Sequence, residues 1–301
     1  MSRIKEETHY AGFAAIVGRP NVGKSTLVNR LIGEKIAIMS EKAQTTRNKI
    51  TCISNMEKAQ IVFLDTPGIH KPQHKLGEYM VRIAESTLKE VDVVLFVIDA
   101  SEKQWLGDEY ILNRLKKVKT PVILVVNKID KLQDKRKILQ IIESYRKSYD
   151  FAAVVPVSAL EDKEFPQLTD EILKYLPEGA GYFPEDMITD QPERILAAET
   201  IREKILQLTR DEVQHSVAVE VLDFKERENG SIYISANIYV ERESQKGIII
   251  GVGGSMLKKI GAKSRSELEN FLGNKVYLEL WVKVRADWRN RENDLRDLGY
   301  K

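Results

Sequence analysis

The chain has a single cysteine, Cys52, so no internal disulfide can form. A disulfide-stapled secreted scaffold is thereby excluded, and a reducing compartment is expected. Long hydrophobic runs are also missing. Apolar stretches such as 93–98 and 122–126 fall far short of the ~20 residues that span a bilayer. Residues 1–10 carry charges throughout and lack the apolar stretch of a secretory signal. Histidine is scarce: His9, His70, His74 and His215 stand at no metal-ligand spacing with Cys52, which argues against a zinc site. Glycine and proline, 17 and 9 of 301 residues, are too few for a collagen-like or low-complexity chain. What remains, 43% hydrophobic and 31% charged residues, suits a soluble, cytoplasmic protein with a real core. At ~150 residues per domain, the length fits two domains.

The net charge of +2 conceals an asymmetry. Residues 1–180 hold 28 basic and 24 acidic side chains, residues 181–245 hold 7 and 14, and residues 246–301 hold 12 and 7. A basic terminal segment behind an acidic one attracts polyanions, of which nucleic acid is the usual one, or forms a solvated charged face.

The first 180 residues alternate short β-branched runs (13–17, 61–64, 93–98, 122–126, 154–157) with helix-length amphipathic pieces (24–32, 76–89, 108–116, 135–147). That alternation predicts an α/β domain, a mostly parallel sheet with helices on both faces. Ligands on such sheets bind beyond the carboxyl ends of the strands. Proline, glycine and acidic residues then cluster at 181–192, which reads as a linker. Past it, 193–209 has helical spacing, with Ile195, Ile201, Ile205 and Leu208 available for one face. The stretches 216–224 and 232–240 alternate strictly around Asn229-Gly230, a hairpin signal because both residues tolerate positive φ. Two helix-length pieces flank 251–254, and 276–284 alternates again. Residues 193–301 are therefore expected to form a smaller α+β domain.

Gly18-Arg19-Pro20-Asn21-Val22-Gly23-Lys24-Ser25, followed by Thr26, has the phosphate-loop spacing and sits between a strand and a helix. Its glycines let backbone N–H groups face phosphate oxygens, and the helix dipole adds positive potential. Lys24 would reach the β- and γ-phosphates, and the Ser25 hydroxyl would ligate Mg²⁺. Asp65-Thr66-Pro67-Gly68 follows the next strand. Asp65 there can hold Mg²⁺ through water, and the Gly68 N–H can bond the γ-phosphate. Thr46, in Thr45-Thr46-Arg47, could complete the Mg²⁺ shell when a γ-phosphate is present. Lys24, Thr46, Asp65 and Gly68 are the candidate catalytic residues. Asn127-Lys128-Ile129-Asp130 follows another strand, and the Asp130 carboxylate offers two acceptors to guanine N1–H and its 2-amino group. Adenine has neither donor and would leave that carboxylate unpaired. Asn127 would tie its loop to the phosphate loop, the Lys128 stem could lie over the base, and Ser158-Ala159 would place N–H groups near guanine O6. Four such sites in order, each after a strand, predict GTP binding.

These residues resemble the guanine-nucleotide boxes of the translation-factor-related GTPases, and the Gly-Arg-Pro-Asn-Val-Gly-Lys-Ser, Thr-Thr-Arg and Asp-Thr-Pro-Gly sub-pattern resembles their Era/TrmE-like branch. Position 69, where Ras-type enzymes carry a water-orienting glutamine, is Ile69. A low intrinsic rate is expected, with a partner completing the site or with backbone and a cation holding the water. In potassium-stimulated relatives the asparagine matching Asn21 helps hold that ion, which implies K⁺ near Asn21 here.

In the terminal domain, Gly251-Val252-Gly253-Gly254 is a Gly-x-x-Gly turn between two helices, with Lys258 and Lys259 just downstream and Lys263 and Arg265 beyond. In this element order it resembles a KH (type II) domain, whose loop clamps about four nucleotides. Trp281 and Trp288 offer stacking faces, with packing the preferred reading for Trp281. Arg289 and Arg291 read equally as footprint or as fold. The family resemblance implies a GTPase that binds the 3′ end of small-subunit ribosomal RNA and serves maturation of the 30S subunit; nothing in the sequence suggests an obligate homo-oligomer, and none is expected. Two other readings stay open: an RNA-binding assembly protein with a purely structural nucleotide site, and a regulator peripheral at the inner face of the cell membrane.

Overall fold

The computed structural model describes residues 8–39, 45–102 and 107–300. Most of the stretch 1–10, read above as lacking a signal, lies outside them. The chain divides into two compact units. Unit 1 comprises residues 1–37, 46–71 and 80–190, and unit 2 comprises 38–45, 72–79 and 191–301.

Unit 1 is built from β1 (Tyr10–Val17), α1 (Lys24–Ile32), β2 (Ile50–Met56), β3 (Ala59–Asp65), most of α2 (Lys75–Thr87), β4 (Val93–Asp99), α3 (Asp108–Leu115), β5 (Val122–Asn127), α4 (Lys137–Arg146), β6 (Ala153–Pro156) and α5 (Pro166–Leu173). Its six-stranded sheet has the order β2-β3-β1-β4-β5-β6. All pairings are parallel except β2 against β3. The parallel strands are buried on both faces, as a sheet covered by crossover helices must be. Val62, Val94, Phe96, Leu124 and Val126 pack one face against Ala84 of α2, Ile111 and Leu115 of α3, and Ile141 and Tyr145 of α4. Helix α1 lies against β2 and β3.

Two features of unit 1 depart from the sequence reading. β2 (Ile50-Thr-Cys-Ile-Ser-Asn-Met) is an extra antiparallel edge strand, and Cys52 is buried within it. The stretch read as a linker is fastened to the sheet as far as residue 190. The Gln60 side chain accepts from the N–H groups of Tyr182 (2.7 Å) and Phe183 (2.9 Å) and donates to the Phe183 carbonyl (2.8 Å). The Ile53 N–H donates to the Ile188 carbonyl at 2.8 Å, and the Thr189 hydroxyl donates to the Thr51 carbonyl at 2.7 Å.

Unit 2 is formed chiefly by α6 (Glu193–Leu208), α7 (Asp211–Gln214), β7 (Ala218–Glu226), β8 (Ile232–Val240), α8 (Glu243–Ile250), α9 (Ser255–Leu272), β9 (Val276–Val284) and α10 (Glu292–Asp297). Its sheet is β7-β8-β9, antiparallel then parallel. Ile232, Ile234, Ala236, Ile238 and Val240 face a core shared with Ile201 and Ile205 of α6 and Ile260 and Leu268 of α9. The expected apolar face of α6 is corrected at one end, because Ile195 is 40% exposed. Helix α6 instead buries charge: Arg202 pairs with Glu199, and Lys204 pairs with Glu203 and with Glu267 of α9. Among the described residues, no helix is long and apolar enough to cross a membrane.

Candidate functional site

Loops after β1, β3, β5 and β6, with Thr46 ahead of β2, carry the expected residues of unit 1. From Gly18 the loop curls into α1, with Asn21 exposed at φ 66°, Val22 and Lys24 buried, and Thr26 half-buried. Gly23 has no room for a side chain: a Cβ there would lie 2.3 Å from Asn127 Nδ2. Lys24 Nζ donates to the carbonyls of Arg19 (2.9 Å) and Gly18 (3.3 Å). Burial pulls its ammonium down to about 8, against the opposing field of Asp65. A desolvated cation at a helix N-terminus is poised to gain from a phosphate.

Ser25, Thr46 and Asp65 meet beside it. The Ser25 hydroxyl donates to Asp65 Oδ2 at 2.8 Å, the Thr46 hydroxyl donates to the same oxygen at 3.1 Å, and the two hydroxyls lie 3.1 Å apart. Asp65 Oδ1 is buried with no hydrogen-bond partner among the described residues. Burial raises the Asp65 carboxyl pKa, opposed by Lys24, Ser25 and Thr46. A buried carboxylate with one oxygen free of donors and two hydroxyls on its other oxygen fits a hard oxygen-seeking cation such as Mg²⁺. Gly68 sits against the phosphate loop, where a Cβ would come within 2.8 Å of the Pro20 nitrogen. The Ile69 N–H donates to the Gly18 carbonyl at 3.2 Å, and its side chain is buried in the core. That side chain is thus unable to orient water.

On the base side, Asn127 is a hub. Its Nδ2 donates to the Val22 carbonyl at 2.8 Å, and its Oδ1 accepts from the N–H groups of Lys128 (2.7 Å) and Ala159 (2.9 Å). The expected tie between the two loops is therefore direct. Lys128 adopts φ 60° and donates to the Asn21 carbonyl at 2.6 Å and to Asp99 at 2.5 Å. Burial alone would raise the Asp99 carboxyl pKa, but the bonds from Lys128 and Ser101 outweigh it and lower it. Asp130 accepts from the Ser158 hydroxyl at 2.6 Å. The Ser158 and Ala159 N–H groups, read as donors to guanine O6, bond here to Asp162 (2.7 Å) and Asn127 (2.9 Å). Asp99 was missed by sequence reasoning, although an acid closing a buried strand at its carboxyl end was a usable signal.

In unit 2 the turn between α8 and α9 has positive φ at Gly251, Gly253 and Gly254, and Val252 at its tip is 94% exposed. Lys258, Lys259, Lys263 and Arg265 are exposed on α9, whose buried stripe is Ile260, Ser264 and Leu268. Lys258, Lys259 and Lys263 make no ion pair among the described residues, while Arg265 lies in the field of Glu269. The tryptophan expectation is reversed. Trp281 is 59% exposed on the sheet, whereas Trp288 is fully buried, donating Nε1–H to the Ser216 carbonyl at 2.8 Å. Arg289 grips Glu241 through two bonds (3.0 and 2.6 Å), which makes it part of the fold, and Arg291 is exposed.

Comparison with known proteins agrees with both halves. A family model described as "50S ribosome-binding GTPase" matches residues 13–128, and a KH domain model matches residues 212–289. GTPase Era of Alkaliphilus oremlandii is 58% identical over 97% of this chain and 99% of its own length. Two solved structures are similar over 97% of this chain and 99% of theirs. One is a point variant of Aquifex aeolicus Era bound to GDP·AlF4⁻, 48% identical with a TM-score of 0.92. The other is Era in complex with MgGDPNP and nucleotides 1506–1542 of 16S ribosomal RNA, 49% identical with a TM-score of 0.93. With the nucleotide boxes, the Gly-x-x-Gly turn and this likeness running end to end, the chain belongs to the Era family of GTPases.

Proposed function

We propose that this GTPase hydrolyses GTP to GDP and phosphate at the Lys24–Ser25–Thr46–Asp65 cluster and binds the 3′ end of 16S ribosomal RNA with unit 2, acting on the assembling 30S subunit in the cytoplasm. The observation that carries the reading is the buried Asp65 carboxylate, whose Oδ2 accepts from the Ser25 and Thr46 hydroxyls while its Oδ1 has no partner among the described residues. Mg²⁺ held by Ser25, Thr46 and, directly or through water, Asp65 would supply positive charge to the β- and γ-phosphates. Lys24 holds the same phosphates, Gly68 approaches closely enough for its N–H to meet the γ-phosphate, and Asp130 selects guanine. With Ile69 in the core, no side chain at that position orients water, so hydrolysis is slow, and a K⁺ beside Asn21 is the group proposed to assist it. On unit 2 the exposed glycine turn admits a sugar–phosphate backbone, and Lys258, Lys259, Lys263 and Arg265 neutralise it. The likeness to Era bound to 16S nucleotides 1506–1542 supports that target.

Multiple-turnover phosphate release, absent in Lys24→Ala, together with crosslinking to cellular RNA tests both halves. Reads concentrated at the 3′ end of small-subunit ribosomal RNA and lost in Lys258→Glu/Lys259→Glu are expected. Hydrolysis that survives Lys24→Ala, or scattered reads, would overturn the respective half. Vesicle flotation without RNA would instead favour a membrane surface.

A further inference from the structure

Arg19 links the phosphate loop to a part of unit 1 that no nucleotide box touches. Its carbonyl is one of the two acceptors that hold Lys24 Nζ, at 2.9 Å. Its side chain is bound on both sides: Nε donates to Asp108 Oδ1 at the start of α3 at 3.0 Å, and Nη2 donates to Glu102, in the turn after β4, at 2.7 Å. Asp108 is 1% exposed, and its second oxygen accepts from the Tyr145 hydroxyl of α4 at 2.6 Å, with Tyr145 itself 2% exposed. The residue before Asp108 is Gly107, where a Cβ would lie 2.9 Å from Arg19 Cδ. The approach of the arginine stem to α3 is therefore built into the backbone.

A buried carboxylate is a costly way to fasten one helix to another, and an apolar pair of similar volume would do so as well or better. What Asp108 adds is direction. Among the described residues each of its oxygens has one donor, so Tyr145 fixes the carboxylate and the carboxylate fixes the guanidinium. The backbone of residue 19 can then turn little, and its carbonyl stays aimed at the Lys24 ammonium. Lysine is a point charge on a flexible four-carbon stem, and it stabilises charge on a transferring phosphoryl group only where it is held.

We propose that Asp108, backed by Tyr145, is a positioning residue for GTP hydrolysis, acting through Arg19 on Lys24. This rests on the reading of Lys24 as the phosphate-binding cation. The Lys24→Ala control tests that reading separately, because its failure would appear as unchanged hydrolysis in Lys24→Ala whatever Asp108 does.

The experiment is steady-state hydrolysis by the full chain with Asp108→Ala, Asp108→Asn, Tyr145→Phe, Arg19→Gln and the double variant Arg19→Gln/Asp108→Ala. Displacing a catalytic group by ~1 Å costs up to about a hundredfold in rate. Asp108→Ala is accordingly expected to lower kcat about tenfold or more, while KM for GTP moves less than about threefold because the loop N–H groups and the base pocket are untouched. Asp108→Asn, which keeps an acceptor for Arg19, is expected to recover most of kcat. The double variant should be no slower than the slower single one, since both act on one chain of contacts. Should Asp108→Ala fail to fold, Tyr145→Phe removes a single hydroxyl and is expected to lower kcat severalfold at unchanged KM. Wild-type kcat in the folded variants, a loss confined to KM, or strictly additive losses at positions 19 and 108 would each overturn the proposal.

Discussion

Lys24 loses solvation before any phosphate arrives, and this has a measurable consequence. In the free protein its ammonium titrates near 8 because burial penalises the charge, Asp65 only partly offsetting it. Below that pH the cation is already present, whereas above it nucleotide binding must take up a proton. Affinity for GDP should therefore fall about tenfold between about pH 7 and 9, with proton uptake visible in calorimetry across buffers of different ionisation enthalpy. Lys24→Arg, whose guanidinium stays charged, should lose this dependence. A flat wild-type profile would mean that the ammonium is not desolvated. The shift also bears on folding. A folded pKa below the unfolded 10.5 means that the unfolded chain binds more protons between about 8 and 10.5, so the free protein gains stability as pH rises through that window.

At the scale of elements, legibility followed periodicity. Residues 232–240 and 276–284 alternate strictly and are strands over those same residues, with the apolar set of 232–240 turned to the core shared with α6 and α9. β2 escaped notice because its first five residues are all buried, polar Thr51 and Ser54 among them, so no alternation is left to read. Sequence alone also could not rank Trp281 against Trp288, whose burial depends on a carbonyl 72 residues away. The nucleotide boxes were legible because each pairs a strand end with residue types that phosphate or guanine requires. The Arg19–Asp108–Tyr145 contacts were not, since nothing local to any of the three announces the others. The proline- and glycine-rich stretch at 181–192 reads as a linker by composition, yet it is held through Gln60, a 3% exposed side chain satisfying two N–H groups and one carbonyl of the segment. Gln60→Ala would orphan all three. At about 1–3 kcal/mol per buried unsatisfied group, partly relieved by water, a loss of about 2–4 kcal/mol in urea unfolding is expected. A loss below about 0.5 kcal/mol would show that the segment is only loosely laid on the sheet.

At the scale of the whole molecule, the path of the chain is what matters. It leaves unit 1 after residue 37 and returns at 46, then leaves after 71 and returns at 80. In sequence, the first excursion ends one residue before Thr46, and the second begins shortly after Gly68. Within unit 2 the first is held by α6, through the Met39 N–H on Glu203 at 2.9 Å and Arg202 on the Thr45 carbonyl. The second is held near the C-terminus, through Lys75 on Glu292 at 2.8 Å and Tyr79 against Tyr300. Glu203 is also bonded to Lys204, and Lys204 to Glu267 of α9, the helix that carries the basic residues assigned to RNA. A γ-phosphate that ordered the backbone around Thr46 and Gly68 would act on chain next in sequence to segments whose other contacts lie in unit 2, and this is the coupling to be tested. A coupling of about 1–3 kcal/mol, or about 5–150-fold, is typical of such linkage. RNA carrying the 3′ end of 16S ribosomal RNA should accordingly bind more tightly to protein loaded with a non-hydrolysable GTP analogue than to the GDP form. Glu203→Gln should shrink that ratio with little change in hydrolysis without RNA. Linkage is reciprocal, so the same RNA must raise affinity for the analogue over GDP by the same factor. Equal RNA affinity in the two nucleotide states would leave the enzyme and the RNA site intact and remove the switch between them.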